Sequence, residues 1–305
     1  MTKTKKDFID LSQFNQEELN FLVESSLERK DQAQSGGKGS IDSNDCGKNK
    51  ILATIFEKPS TRTRFSFETA MYQLGGNTIY ANMSDMQLGR GETIEDTARV
   101  ISRYVDIAML RTKKHSLLES FAKNSSIPVI NGLTDKSHPC QVLADLITVK
   151  EKLGSIEGNI YSWFGPANNM LNSWIEAAKI YQFEFRISSP KEYSISDNSI
   201  GDYSNIILNV DPMEASKGSN CIITDTWFSM GEKEDNKKRE ILDPYRVDSN
   251  KMSLASSNSI FLHCLPAHRG EEVDNDVIDG SQSAVWDEAE NRIHAQKGII
   301  SWCFK

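Results

Sequence analysis

The sequence predicts an α/β protein of two domains, each a mostly parallel sheet flanked by helices, the two joined by interdomain helices. Apolar runs of strand length recur at 51–56 (ILATIF), 107–110 (IAML), 127–130 (IPVI), 160–164 (IYSWF), 183–187 (FEFRI), 221–224 (CIIT) and 260–264 (IFLHC). Helical stretches alternate with them, which is the order that parallel sheets with both faces covered require. The length, 305 residues, is enough for two domains of ordinary size.

Along the chain, a first helical pattern starts at Asn15/Gln16 and carries Phe14, Leu19, Phe21, Leu22 and Leu27 among polar residues. It runs into a polar stretch, Gln32 to Lys50, rich in Gly, Ser, Asn and Asp, which reads as a surface loop. Helices are expected at 62–74, 93–104, 138–153, 169–182 and 286–304. The helix 138–153 stops at Leu153-Gly154, where glycine suits a left-handed C-cap, and a new strand follows Glu157-Gly158. This reading divides the chain into a first domain, 1–137, and a second, 138–286. Helix 138–153 is then the interdomain helix, and a C-terminal helix of about 287–305 packs back on the first domain. Ligands of open α/β sheets sit outside the carboxyl ends of the strands, so the loops after the strands are where chemistry is expected.

Composition narrows the function. The formal charge is −8, from 35 Lys+Arg against 43 Asp+Glu, and the isoelectric point is near 5.3. A protein that coats nucleic acid or an anionic membrane is thereby disfavoured. With 38% hydrophobic residues and a mean hydropathy of −0.48, no run approaches the roughly 18 apolar residues that span a bilayer. The start, MTKTKKDFID, has no apolar segment behind its lysines. Five scattered cysteines, Cys46, Cys140, Cys221, Cys264 and Cys303, form no C-x-x-C pair, and a reducing cytoplasm is the expected location. Against the acidic total, six of the twelve arginines fall between Arg62 and Arg111.

One group of those arginines has a chemical setting. After strand 51–56 the chain reads Ser60-Thr61-Arg62-Thr63-Arg64 and enters a helical pattern. Ser60 or Thr61 as N-cap leaves backbone N–H groups, hydroxyls and guanidinium at the positive end of a helix, the parts of a phosphate site. A capped helix with merely solvated arginines is the plainer alternative. Arg111 stands at a strand end, where it alternatively pairs with Asp106. His138 and Gln141 lie one helical turn apart at a helix start and share a face. Such a donor pair suits a developing oxyanion.

Taken in order, Ser60-Thr61-Arg62-Thr63-Arg64, Met109-Leu110-Arg111-Thr112, His138-Pro139-Cys140-Gln141, Asn168-Asn169, Asp225-Thr226-Trp227-Phe228-Ser229-Met230-Gly231 and His263-Cys264-Leu265-Pro266 resemble the motifs of the aspartate/ornithine carbamoyltransferase family, and of its ornithine branch in particular. The likeness runs from about residue 50 to 300. It implies transfer of a carbamoyl group from carbamoyl phosphate to the δ-amine of L-ornithine, without a cofactor or a metal. Carbamoyl phosphate would be held by Ser60, Thr61, Arg62, Thr63, Gln87, Arg111, His138, Pro139, Cys140, Gln141, Cys264, Leu265 and Arg292. Ornithine would be held by Asn169, Asp225, Ser229 and Met230, the last two on a loop from Phe228 to Asp235 that closes over the ligand. Trp227 and Met230 alternatively read as packing residues. Arg111, His138, Asp225 and Cys264 would be catalytic, Cys264 and the Leu265 carbonyl orienting the amine for direct attack. The resemblance also implies a homotrimer in which the Gln87 loop is shared with a neighbouring subunit.

His263 beside Cys264 invites a nucleophile or a metal. Successive side chains near a strand end are expected to point to opposite faces, and H-C-x3-H with His268 matches no usual zinc spacing. One departure from the family pattern is Gly165-Pro166-Ala167 before Asn168-Asn169, where G-D-G is usual. Pro166 lacks an N–H and fixes φ, so that turn is expected to differ locally, and it is no dinucleotide fingerprint either. Rival readings are a sister enzyme using putrescine, N-acetylornithine or aspartate, and a non-catalytic relative. The latter would be expected to lack Arg62, Arg111 or His138, and all three are present.

Overall fold

The computed structural model describes residues 5–34, 37–88, 91–196, 200–228, 232 and 235–305. The chain divides into two compact units, Met1–Ile147 with Asn291–Lys305, and Thr148–Glu290. The division falls within the helix expected at 138–153, so residues 138–147 count with the first unit.

The first unit runs α1 (Gln16–Gln34), β1 (Ile51–Phe56), α2 (Thr61–Gln73), β2 (Asn77–Asn82), α3 (Ile94–Ile101), β3 (Ile107–Arg111), α4 (His115–Asn124), β4 (Val129–Leu133) and the first part of α5 (Pro139–Leu153). Its four strands lie in the order β2-β1-β3-β4, and all three pairings are parallel. Leu52 to Phe56 of β1 and Ile107 to Leu110 of β3 are buried throughout, as expected of parallel strands covered on both faces. Ala53, Ile55, Ala108, Leu110, Leu118, Phe121 and Val129 form one continuous core cluster. β2 was not foreseen: it is an edge strand, polar at both ends and largely exposed, so it offers no apolar run. α4 was also missed, although Leu118, Phe121 and Ala122 give it a buried stripe. Beside β4, Phe8 of the N-terminal segment forms a single parallel bridge with Ile130.

The second unit continues from α5 with β5 (Ile160–Phe164), α6 (Asn169–Tyr181), β6 (Glu184–Ser188), β7 (Ile206–Ile207), α7 (Pro212–Ser216), β8 (Cys221–Thr224), α8 (Asn236–Leu242), α9 (Ser249–Leu254), β9 (Ile260–Leu262) and α10 (Asn275–Ile278). Its sheet has the order β7-β6-β5-β8-β9 and is parallel throughout. Phe164, Ile222, Phe261, Val273 and Val285 belong to its core.

A last helix, α11 (Val285–Phe304), begins in the second unit and from Asn291 belongs to the first. There Lys297 is wholly buried with its ammonium 3.0 Å from Asp42, which also pairs with Arg29 at 3.2 Å. At Gly298 the two helices run so close that a Cβ would stand 2.1 Å from Ser26 Oγ of α1. Among the described residues, no helix is long and apolar enough to cross a membrane.

Candidate active site

In the first unit the loops after β1, β3 and β4 carry the predicted anion-binding residues. Ser60 is the N-cap of α2: it has extended backbone, and its hydroxyl accepts from Thr63 N–H. A cap of this kind contributes about 1 kcal/mol. It also leaves the first N–H groups of the helix, and their partial positive charge, facing out of the N-terminus. The Ser60 hydroxyl donates to Thr63 Oγ1 at 3.1 Å, and Arg111 Nη1 donates to the same oxygen at 3.1 Å. Arg111 is therefore joined to the α2 cap; Asp106, the alternative partner, instead holds Lys50 at 2.9 Å and the N–H of Ile51. Glu57 fastens the two loops together, accepting from Thr112 Oγ1 at 2.7 Å and from Lys113 N–H at 2.6 Å.

His138 precedes α5, 4% exposed. Its pKa lies well below the ordinary histidine value, because burial disfavours the imidazolium and the guanidinium charges of Arg292, Arg111 and Arg62 repel it. Three arginines thus bear on one neutral imidazole, which near neutral pH remains a hydrogen-bond donor without competing for a proton. The amide of Gln141 bridges neighbours on two sides: Oε1 accepts from Arg292 Nη1 at 2.5 Å, and Nε2 donates to Asp145 at 2.9 Å. Asp145 is a member the sequence reading missed, although its position one turn after Gln141 was a usable signal. Pro139 is the first residue of α5. Cys140 is buried and donates to the Asn131 carbonyl at 3.2 Å; burial pushes its pKa up to about 12, so it remains a thiol and is no nucleophile. Thr61 is exposed, Arg62 half-buried, and Gln87 lies exposed just before a bridge between Leu88 and Glu92.

The second unit gathers a separate group at the ends of β5, β8 and β9. Asn168 caps α6, its Oδ1 accepting from Met170 and Leu171 N–H, while its Nδ2 donates to Asp225 Oδ2 at 2.7 Å. The side chain found against Asp225 is thus Asn168, with Asn169 the first residue of the helix. On its other oxygen Asp225 accepts from Thr226 N–H at 2.8 Å and from the Cys264 thiol at 3.2 Å. A cavity of about 290 Å³ adjoins this group, lined by Pro166, Asn168, Tyr193, Trp227, Glu232 and Lys238 among others. Gly165 takes φ 111° and the Ala167 N–H is held by the Tyr193 carbonyl at 2.7 Å, so the turn accommodates Pro166 without needing an N–H there. Ser229 and Met230 lie outside the described residues.

The expectation that His263 and Cys264 point to opposite faces is corrected. A ligating atom of each lies, with one of Asp225, within 4.8 Å of the others. The reason is that β9 ends at Leu262 and the chain turns through Leu265 in the left-handed region, φ 55°, so strand alternation no longer applies. Both His263 ring nitrogens are nevertheless engaged. Nδ1 accepts from Leu265 N–H at 2.9 Å, which leaves Nε2 to donate to the buried Glu272 at 3.1 Å. His263 braces the turn that presents Cys264 to Asp225.

Comparison with known proteins gives the same two-part picture. Residues 6–151 match the sequence profile described as aspartate/ornithine carbamoyltransferase, carbamoyl-P binding domain, and residues 157–303 match its Asp/Orn binding domain. An ornithine carbamoyltransferase of Caulobacter vibrioides is 47% identical over 98% of this chain and 97% of its own length. One from Bradyrhizobium diazoefficiens is 48% identical over 100% and 99%. Among solved structures, the ornithine carbamoyltransferase of Pyrococcus furiosus superposes with a TM-score of 0.91 at 42% identity, covering 98% of this chain and 97% of that one. The anabolic enzyme of Campylobacter jejuni gives 0.89 at 38% identity over 98% of both. Two profiles that together cover nearly the whole chain, with relatives alike over nearly its whole length, leave one conclusion: the chain belongs to the aspartate/ornithine carbamoyltransferase family.

Proposed function

We propose that the chain transfers the carbamoyl group of carbamoyl phosphate to the δ-amine of L-ornithine, giving L-citrulline and phosphate. The observation that carries the reading is Arg111 donating to Thr63 Oγ1 of the Ser60-capped helix, with Arg292 held by Gln141 one turn after the buried His138. It is a setting for a dianion whose carbonyl oxygen must accept a hydrogen bond as charge develops on it.

The phosphate is held by Ser60, Thr61, Arg62 and Thr63 at the positive end of α2. Arg111, His138 and Arg292 face the carbamoyl oxygen, with Gln141 and Asp145 orienting Arg292. In the second unit, Asp225 takes the α-ammonium of ornithine, and Asn168 and Asn169 its carboxylate. Cys264 and the Leu265 carbonyl orient the amine. The unprotonated δ-amine attacks the carbonyl carbon and a tetrahedral intermediate forms. The bond to the phosphate oxygen then breaks with its electron pair leaving on phosphate, which takes up the extra proton that the nitrogen sheds. No covalent enzyme intermediate is needed, which agrees with Cys140 being held as a thiol and Cys264 being hydrogen-bonded to a carboxylate.

Formation of the carbamoylated amine and phosphate from carbamoyl phosphate, measured with ornithine, putrescine, N-acetylornithine and aspartate as acceptors, tests the reading. Ornithine is expected to give the highest kcat/KM; preference for putrescine would overturn the substrate assignment, and no product with any acceptor would overturn the activity.

The working unit is proposed to be a homotrimer that shares the Gln87 loop between subunits. Support comes from Phe65, Tyr72, Ile79, Val100 and Tyr104, large apolar side chains left exposed on the first unit. Chains carrying Gln87→Ala mixed with chains carrying Arg62→Ala are expected to regain part of the activity; mixtures as inactive as the parents would exclude a shared site. A role in arginine biosynthesis in the cytoplasm completes the reading, in line with the anabolic relative and with five cysteines that form no disulfide.

A further inference from the structure

The turn before His138 is fixed more firmly than a surface loop requires. The Ser137 N–H donates to Thr134 Oγ1 at 3.3 Å, and its carbonyl accepts from Thr134 N–H at 2.9 Å. The Ser137 hydroxyl donates to Asp10 Oδ1. Ser137 Oγ in turn accepts from Asn131 Nδ2 at 3.1 Å, and the same Nδ2 donates to the Ile9 carbonyl at 2.9 Å. Backbone donor, backbone acceptor and side chain of the residue before His138 are all committed. Ser137 is 1% exposed, Asn131 and Thr134 0%.

Asp10 anchors this arrangement from the far end of the sequence. It is brought there by the bridge of Phe8 to β4, in which Phe8 N–H donates to Val129 O and Asn131 N–H to Phe8 O, both at 2.8 Å. Its carboxylate is 6% exposed, a placement that is costly for a charge without partners. Besides Ser137 it meets Lys136 Nζ at 3.0 Å and His115 Nε2 at 3.4 Å. Thr134 Oγ1 accepts two backbone N–H groups, from Lys136 and Ser137. Its hydrogen is therefore directed to His115 Nδ1, 2.9 Å away.

We infer that Asp10 and Ser137 are positioning residues for the carbamoyl-transfer step, holding His138 at the place where it donates to the reacting carbonyl oxygen. The inference rests on the proposed function. A donor preorganised toward the transition state loses effect when it is free to drift, and a displacement of about 1 Å is enough to slow a reaction severely. Ser137 acts through His138, so its influence must disappear when the imidazole is absent.

The test is a double-mutant cycle on the full chain, read as kcat for citrulline formation. Ser137→Ala is expected to lower kcat roughly tenfold with the KM for ornithine within about twofold, and to change kcat by less than about twofold in a His138→Ala background. Asp10→Asn, which keeps the shape and removes the charge, is the second variant, with the same expectation should Ser137→Ala fail to fold. An equal loss in both backgrounds, or no loss in the wild-type background, would overturn the inference. Absence of citrulline from the wild-type chain would instead overturn the function on which it rests.

Discussion

Asp225 shows how much a single side chain is asked to do. Its two oxygens already accept from Asn168, Thr226 and Cys264, so the carboxylate is held in place before any ligand arrives. Its charge is the part that an α-ammonium needs. Asp225→Asn keeps the shape and removes the charge. The KM for ornithine is expected to rise roughly ten- to a hundredfold, the worth of a hydrogen bond to a charged group, while the KM for carbamoyl phosphate changes by less than about twofold. Steady-state kinetics in both substrates checks this, and equal effects on the two would refute it. At this scale the sequence was readable where partners are local. Ser60 could be named as a cap because strand, cap and helix follow one another directly. The bond between Arg292 and Gln141 spans 151 positions and that between Asp10 and Ser137 spans 127; no spacing rule reaches so far, and only the resemblance named Arg292 and Gln141 among the same expected carbamoyl-phosphate residues.

Elements were legible in proportion to their burial. β1, β5 and β8 are apolar but for a single Ser or Thr each, and the structure gives them the same bounds as the apolar runs in the sequence. Edge strand β2 and two-residue β7 carry too little apolar surface to announce themselves. The strand expected at 127–130 begins two residues later and runs on to Leu133, because Pro128 has no N–H to give to a ladder. The contact of α1 with α11 yields a prediction of its own. Alanine normally stabilises a helix by about 1 kcal/mol relative to glycine, yet at Gly298 the added Cβ would overlap Ser26 Oγ. Gly298→Ala is expected to lower stability by roughly 1–3 kcal/mol. Adding Ser26→Ala removes the overlapping atom and should recover most of the loss; thermal unfolding of the single and double variants decides, and an undiminished loss in the double variant would show that the backbone carbonyl of Leu22, not Ser26, sets the limit.

For the molecule as a whole, buried uncharged histidines tie stability to pH. Burial, followed by the charges of Lys297 and Lys30, brings His294 down to about 3, and His138 is lowered as well. In the unfolded chain each titrates near 6.5. Below that pH the unfolded state takes up protons that the folded state refuses, so stability is present above about pH 6.5 and is lost as pH falls. For His294 the loss is roughly 1.4 kcal/mol per pH unit between about 6.5 and 3. The Tm is therefore expected to fall on acidification from pH 7.5 to 5, and His294→Gln should flatten the fall; an equally steep decline in that variant would contradict the assignment. The charge pattern also has a place at this scale. Residues 57–111 carry seven Lys/Arg and seven Asp/Glu, so the net −8 belongs to the rest of the chain. Two arginines of this neutral stretch, Arg62 and Arg111, add their charge beside the buried His138.

α11 returns to the first unit only after the whole of the second has been traversed. During synthesis, then, the unit begun first is finished last. At roughly 5–20 residues per second the second unit occupies the ribosome for on the order of ten to thirty seconds. Throughout that interval Gln141 lacks Arg292 and Asp42 lacks Lys297. An emerging chain therefore holds Gln141 and Asp42 without their cationic partners, which arrive together with the helix that completes the first unit.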